Sequence, residues 1–399
     1  MVKRMLILLL ALLFACACED NSYRGYEFAP EQFRLSQSVR VAVGDPMVMS
    51  KGSGPVDVLA DFAGKEIHVW AFNRDSVDYR IGRQEDSLMC LVDGYPATLN
   101  GTSSNAKWKN GGRFYYPSHE FSQKRFDFFA AYFDLKGAEL DQTQIHRDSA
   151  WLSYSMQIDG SMDVMTSKAN IPIALGGDYK EYAFSYLSAQ DGDLPIFTMN
   201  HGLVRIDLVV RPGITPGRHS KVQVQRAQIK SYTEAAVTVA TADDANKELG
   251  VEFDPDKAKS FLDLREDDGS ALKTYTLEVI DGDPSDDEPG GALYRQKMET
   301  QLLGAGFFVA PDTQYDLKVT LYEPDHDTGE YTQRPPVENV VSLMNGGSFL
   351  PGNRYVVTMT IFGDRDIYTN ITLVPWNASG AFILDPDAES EKLEPNPGQ

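Results

Sequence analysis

The amino-acid sequence predicts an all-β protein, and three observations support this. Aromatic residues make up 11% of the 399 residues, and aromatic residues favour strands. Short runs alternate between apolar and polar residues, which is the period of a strand with one buried face. Glycine, proline, asparagine and aspartate separate these runs, as is typical of a β-sandwich. The alternating runs are 39–43, 66–72, 203–210, 221–225, 274–280, 314–322, 354–361 and 367–374.

Helical patterns are few and short, with candidates at 243–249, 255–262 and 292–302. The length of the chain exceeds that of a usual single core and therefore favours two domains. A change of pattern follows the loop 190–193, which predicts a domain boundary close to residue 200.

The N-terminus has the pattern of a secretory signal peptide. Lys3 and Arg4 precede the apolar run 5–15, which has 11 residues and is shorter than the roughly 20 that a membrane-spanning helix needs. Residues 1–15 are therefore predicted to be a signal peptide, and the chain is predicted to be exported.

The signal ends at a cysteine. The segment Leu13-Phe14-Ala15-Cys16 resembles a bacterial lipobox, which predicts acylation of Cys16, with Cys18 as the alternative. The acidic pair Glu19 and Asp20 follows and resembles the surface-export signal of lipoproteins in some Gram-negative anaerobes. Several acyl chains, palmitate among them, anchor a protein stably, so we expect attachment to the outer membrane at the cell surface.

The composition is strongly acidic. Loss of residues 1–15 removes Lys3, Arg4 and no acidic residue, and takes the formal net charge from −21 to −23. Such a surface repels phosphate backbones, so no nucleic-acid partner is expected. The acidic stretch 281–291 lacks the spacing of an EF-hand and is interpreted as a solvated loop. The acidic tail 385–399 is predicted to be disordered.

Catalytic patterns are absent from the sequence. Its histidines are scattered without the i, i+4 spacing of a zinc-binding helix, and no Gly-x-Ser-x-Gly motif occurs. Cys90 lies in an apolar run and is interpreted as an inert buried thiol. We therefore predict no catalytic residue, no metal site and no cofactor, and that the protein is not an enzyme. The histidines are His68, His119, His146, His201, His219 and His326.

Several segments resemble, in order, the fimbrillin family of pilus subunits and fimbrial accessory proteins from Gram-negative anaerobes. GKEIHVWAF resembles its first mature strand, and Trp108 with the next two segments resembles its aromatic block. The segments are GKEIHVWAF (64–72), RFYYP (113–117), FDFFAAYF (126–133), DVMTSKA (163–169), FTMNHGLVRI (197–206) and FLPGNRY (349–355), followed by Trp376.

The resemblance implies two tandem transthyretin-like β-sandwich domains, which we place at 56–200 and 201–384. It also implies export as a lipoprotein and assembly by β-strand donation, in which a protease can remove an N-terminal strand and a neighbouring subunit supplies the replacement. The implied partners are other fimbrial subunits and ligands on host or bacterial surfaces. Shaft subunit, tip adhesin and anchor stay open as roles.

Residues 16–55 are interpreted as an export segment and first strand. Its alternating Phe33, Leu35, Val39, Val41 and Val43 are the donor-strand candidates. Lys51 begins a polar, glycine-rich linker, 51–55, and is the candidate cleavage site. The alternative is that Lys51 only solvates this loop and the strand stays in place.

A second functional hypothesis is a glycan-binding surface lipoprotein of a carbohydrate-uptake system. Sugar rings stack on exposed aromatic faces, so Trp108, Tyr115, Tyr116 and Trp151 are its candidate platforms. Exposure separates the two hypotheses, because buried rings would instead belong to the core.

Overall fold

The computed structural model describes residues 39–43, 64–99, 105–135, 140–170, 184–189, 195–213, 220–279, 300–325, 327–343, 346–362 and 367–374. These residues form strands β1 to β21, one short α-helix and three 3-10 helices, which confirms the all-β prediction. In this part of the chain, no helix is long and apolar enough to cross a membrane. The helices are α1 (Tyr186–Ala189) and the 3-10 turns Lys109–Gly111, His119–Phe121 and Gln142–Gln144.

Sheet I closes on itself through the first strand. Its strand order is β1-β4-β3-β2-β5-β8-β9, and β9 pairs in turn with β1. All neighbours are antiparallel except β1 and β9, which are parallel. The strands are β1 (Val39–Val43), β2 (Glu66–Asn73), β3 (Cys90–Leu99), β4 (Asn105–Trp108), β5 (Phe126–Phe133), β8 (Val164–Lys168) and β9 (Ile196–His201).

Sheet II packs on one outer side of sheet I. Its strand order is β13-β12-β7-β6, all antiparallel. The core between the two sheets contains Trp70, Phe129, Tyr154 and Val237. The strands are β6 (Ile145–Arg147), β7 (Trp151–Gln157), β12 (Glu234–Thr241) and β13 (Gly250–Phe253).

Strand β5 lies between two cores, which explains why its sequence is apolar at every position except Asp127 rather than alternating. Phe126 and Phe128 enter the core inside sheet I, whereas Phe129 and Phe133 enter the core shared with sheet II. Every residue of β5 is buried, so both faces favour apolar side chains.

Sheets III and IV face each other as a β-sandwich, which we call the second sandwich. Sheet III has the order β16-β10-β20-β21, and its pair β10 and β20 is parallel. Sheet IV has the order β14-β11-β17-β18, with β15 also on β11 and β19 also on β17. The sheet III strands are β10 (Val204–Pro212), β16 (Gln301–Val309), β20 (Arg354–Ile361) and β21 (Ile367–Val374). The sheet IV strands are β11 (Ser220–Ser231), β14 (Ser260–Asp263), β15 (Tyr275–Val279), β17 (Gln314–Pro324), β18 (Tyr331–Gln333) and β19 (Val337–Ser342).

The prediction of helices at 243–249 and 255–262 is wrong. Residues 243–249 form turns and bends, and 255–262 run from turns into β14. In the second range the Asp256 amide donates to the Asp254 carboxylate at 2.9 Å, a local bond that competes with helix formation. Most of the third candidate, 292–302, lies outside the described residues, and its last two residues begin β16.

Sheet II bears on the predicted domain division at residue 200. β12 and β13 follow that residue, yet β12 pairs along β7, which precedes it. A cut at residue 200 would therefore separate two strands from the sheet that they complete. The division into 56–200 and 201–384 stays a prediction.

Candidate functional site

The predicted site residues divide into two groups. Val39, Val41 and Val43 lie on β1. Cys16, Cys18, Phe33, Leu35 and Lys51 lie outside the described residues, so acylation, cleavage and the outer part of the donor strand stay predictions.

Strand β1 fills a slot between β4 and β9, which we call the first-strand slot. Val39 and Arg40 pair with β4 in antiparallel orientation. Residues 40–43 pair with 196–199 of β9 in parallel orientation. The first strand thus joins two strands that would otherwise be the two edges of an open sheet.

The walls of the slot belong to the core inside sheet I. Ala106 on β4 and Phe197 and Met199 on β9 are all buried. The parallel register sets Val41 level with Phe197 and Val43 level with Met199. Alternate residues of the first strand are therefore level with the apolar wall, as a period-two pattern requires.

Strand β9 is bonded to β8 near one end and to the segment just after β8 at the other. At one end, two rungs join Asn200 and His201 to β8, and at the other a bridge joins Ile196 to Asn170. Within the described residues, no rung joins the intervening 197–199 to β8, and these residues pair with β1 instead. The middle of β9 therefore depends on β1 for its strand pairing.

His201 anchors the end of β9. Its Nδ1 atom lies 3.1 Å from Oδ1 of Asp163, which precedes β8, and both side chains are buried. The next amide, that of Gly202, donates to the Val164 carbonyl at 2.8 Å. The C-terminal end of β9, which forms this wall of the slot, is thus fixed by one side-chain contact and one backbone hydrogen bond.

The second sandwich starts with a strand in a comparable position. β10 runs between β16 and β20, parallel to β20 over residues 205–212. The Asp207 carboxylate, 1% exposed, accepts from Arg205 Nε at 3.0 Å and from Arg354 Nε at 2.6 Å. Arg205, Asp207 and Arg354 form the buried arginine–aspartate cluster, which joins β10 to β20.

Gly306 makes room for this cluster. Its φ is +88°, and a Cβ atom there would lie 2.4 Å from Oδ1 of Asp207. Any other residue would combine backbone strain with a clash against the carboxylate.

The candidate sugar platforms do not form an exposed aromatic row. Trp108 is 7% exposed and Tyr116 is 2% exposed, and both belong to the core inside sheet I. Tyr115 and Trp151 are half-buried, and Lys247 Nζ lies 5.5 Å from the centre of the Trp151 ring. Trp108 and Tyr116 therefore contribute to packing rather than to a sugar-stacking surface.

No catalytic constellation was predicted, and the described part of the chain shows no group of three or more histidine, cysteine or acidic residues that could hold a metal ion. Cys90 is buried and its Sγ donates to the Val92 carbonyl at 3.4 Å. Burial raises the pKa of the Cys90 thiol well above its usual range, which disfavours the reactive thiolate.

No protein-family model and no curated protein sequence matches the chain. The fold is similar to that of a candidate cell adhesion protein from Bacteroides uniformis, with 14% identity, coverage of 87% of this chain and 99% of that chain, and a TM-score of 0.46. It is also similar to a fimbrial protein from Bacteroides vulgatus, with 14% identity, coverage of 86% and 100%, and a TM-score of 0.41.

A third similar structure is a candidate cell adhesion protein from Parabacteroides distasonis, with 10% identity, coverage of 87% and 99%, and a TM-score of 0.38. Each of these structures is named for cell adhesion or for fimbriae.

Proposed function

We propose that this chain is a surface-exposed lipoprotein that acts as a fimbrial subunit, or as a tip or anchor adhesin, and assembles by β-strand donation. The observation that carries the proposal is the insertion of the N-terminal strand β1 between β4 and β9. A terminal strand can leave a sheet without threading the rest of the chain through it, which an internal strand cannot do.

An empty first-strand slot would be costly. The backbone of residues 197–199 pairs with β1 and has no rung to β8 within the described part of the chain. Each buried backbone group left unpaired costs about 1–3 kcal/mol, and the apolar wall at Phe197 and Met199 would approach water. A strand from another subunit removes both costs, so stepwise displacement of β1 is favoured over an empty intermediate.

The geometry also defines the incoming strand. It must run parallel to β9 and antiparallel to β4, as β1 does. It must carry apolar residues at alternate positions, level with Phe197 and Met199.

The second sandwich offers no equivalent exchange. β10 lies inside the chain, pairs on both sides over most of its length, and is held to β20 by the buried arginine–aspartate cluster. Among the described strands, we therefore assign the proposed donation site to the first-strand slot.

Anchoring and processing complete the proposal. Acylation at Cys16, or at Cys18, would hold the unprocessed protein on the outer membrane. Cleavage at Lys51 would cut the chain after β1 and free the strand from the sheets that follow it. An uncleaved chain would retain β1, which suits an anchor or stand-alone adhesin.

Limited trypsin treatment tests the strand-donation step. We expect nicked wild-type protein to give fibres in electron micrographs and a ladder on a non-reducing gel run without boiling. Lys51→Gln should abolish both products. Lys273→Gln removes another exposed lysine, 66% exposed, and should polymerise like wild type.

Two outcomes would change the proposal. If Lys51→Gln polymerises as well as wild type, cleavage at that residue is irrelevant to assembly. If no variant polymerises under any condition, the protein is a tip, an anchor or a stand-alone adhesin rather than a shaft subunit.

A charge in the first strand tests the slot itself. Val41→Asp sets a carboxylate level with Phe197 and should lower the free energy of unfolding of the unprocessed protein by several kcal/mol. Ala42→Asp places the same charge one residue away, on the opposite side of a period-two strand, and should cost much less. Urea unfolding of both variants measures the difference, and equal costs would contradict the assigned register.

A further inference from the structure

A cleft of about 520 Å³ opens beside the ends of β2, β3 and β5. Pro96, Leu135 and Leu140 supply apolar lining, and Gln142 lines it with an amide. Ligand sites are typically cavities of this size. None of the lining residues belongs to β1, so the cleft is independent of the first-strand slot.

The charged residues of the cleft balance one another. Lys65 and Lys109 contribute two ammonium groups, and Glu66 and Asp134 contribute two carboxylates. Lys109 Nζ forms an ion pair with the Glu66 carboxylate, and Lys65 Nζ lies 5.5 Å from the centre of the Tyr132 ring. The formal charge of these four groups is zero, which favours a neutral polar ligand over an ion.

His68 adds a neutral acceptor to the lining. Its Nδ1 lies 3.2 Å from the Gly94 carbonyl, which can only accept, so Nδ1 carries the proton and Nε2 keeps its lone pair. Burial is the main cause that lowers the pKa of His68 below its usual value, which favours the uncharged ring. A hydroxyl group is the kind of ligand that could donate to Nε2.

The backbone at Gly94 lies against a buried donor. Trp70 Nε1 is fully buried and has no hydrogen-bond partner among the described residues. Gly94 has a φ of +63°, and a Cβ atom there would lie 3.1 Å from this nitrogen. Gly94 thus lets the backbone that lines the cleft lie close to the Trp70 N–H group, which has no acceptor among the described residues.

We propose that this cleft binds a neutral saccharide of one or two sugar units. A pyranose ring presents an apolar C–H face and hydroxyls that both donate and accept. The cleft offers groups of both kinds: a few apolar side chains, ammonium and amide donors, and carboxylate and imidazole acceptors. This site goes beyond the proposed strand donation and does not depend on it.

Calorimetric titration of the purified full chain with lactose, maltose, cellobiose and their constituent monosaccharides tests the proposal. We expect at least one of these sugars to bind, and Asp134→Asn and Gln142→Ala each to weaken that binding at least tenfold. Asp316→Asn changes a carboxylate on the second sandwich that is paired with Lys230, and this variant should bind sugar like wild type. Far-UV circular dichroism confirms that each variant is folded.

The proposal is overturned if none of the sugars binds, or if the control variant loses affinity as much as the cleft variants. Lys51→Gln, which tests strand donation, is expected to bind sugar like wild type, so the two proposals can fail separately.

Discussion

Replacing Asp207 with asparagine removes the charge at the centre of the buried arginine–aspartate cluster while keeping the size of the side chain. The carboxylate is 1% exposed and accepts from Arg205 at 3.0 Å and from Arg354 at 2.6 Å. The variant removes the negative charge that the guanidinium groups of Arg205 and Arg354 both contact. Breaking a buried ion pair on one side costs about 3–5 kcal/mol.

The loss in free energy of unfolding should affect the second sandwich, because the cluster joins its strands β10 and β20. At about 2–4 °C per kcal/mol for a domain of this size, we expect the unfolding temperature to drop by roughly 6–20 °C. Thermal unfolding followed by circular dichroism measures the drop. Hydrogen exchange should show the largest loss of protection in β10 and β20.

The matched control is Asp316→Asn, which removes an exposed carboxylate 3.4 Å from Lys230. Exposed ion pairs contribute about 0–1 kcal/mol, so this variant should unfold close to wild type. If Asp207→Asn is no less stable than the control, the cluster does not hold β10 in place, and the contrast with the first-strand slot loses its basis.

Three further predictions concern the anchor, the glycine and the domain division. The double variant Cys16→Ala, Cys18→Ala should leave membranes in a salt wash, and continued pelleting would exclude lipidation as the anchor. Gly306→Ala should destabilise the protein by at least about 1–2 kcal/mol in urea unfolding, because of its positive φ and the contact with Asp207; no loss would contradict the assigned backbone. The fragment 201–384 should show protected amides in sheets III and IV but not in β12 or β13, and equal protection would mean that those strands do not need β7.

Local patterns were sufficient to predict the fold class and many strands. The alternation at 354–361 corresponds to β20, and that at 314–322 lies within β17. Period and turn residues are local properties, so the sequence carries them directly. The same information failed at 255–262, where the Asp254 carboxylate accepts from the Asp256 amide and turns replace the expected helix.

Local sequence patterns could not predict which strands pair with one another. Arg205 and Asp207 are two residues apart, so one face of a strand is predictable for them, but nothing near them indicates Arg354. The parallel pairing of β1 with β9 likewise joins distant segments, and the sequence suggested a first strand without its neighbours. The cleft beside His68 combines residues from three strands and three segments outside them, and these residues do not form a recognisable sequence motif.

The sharing of sheet II has a consequence for biosynthesis. β7 ends at residue 157, whereas its partner β12 ends at 241 and β13, which pairs with β12, ends at 253. At a synthesis rate of about 5–20 residues per second, the apolar side chains around Trp70 and Tyr154 would wait roughly 5–20 s for Val237 and its neighbours to cover them. A chain that emerges N-terminus first must therefore keep this half-built layer from aggregating, either with a chaperone or by remaining unfolded until residue 253 has been made.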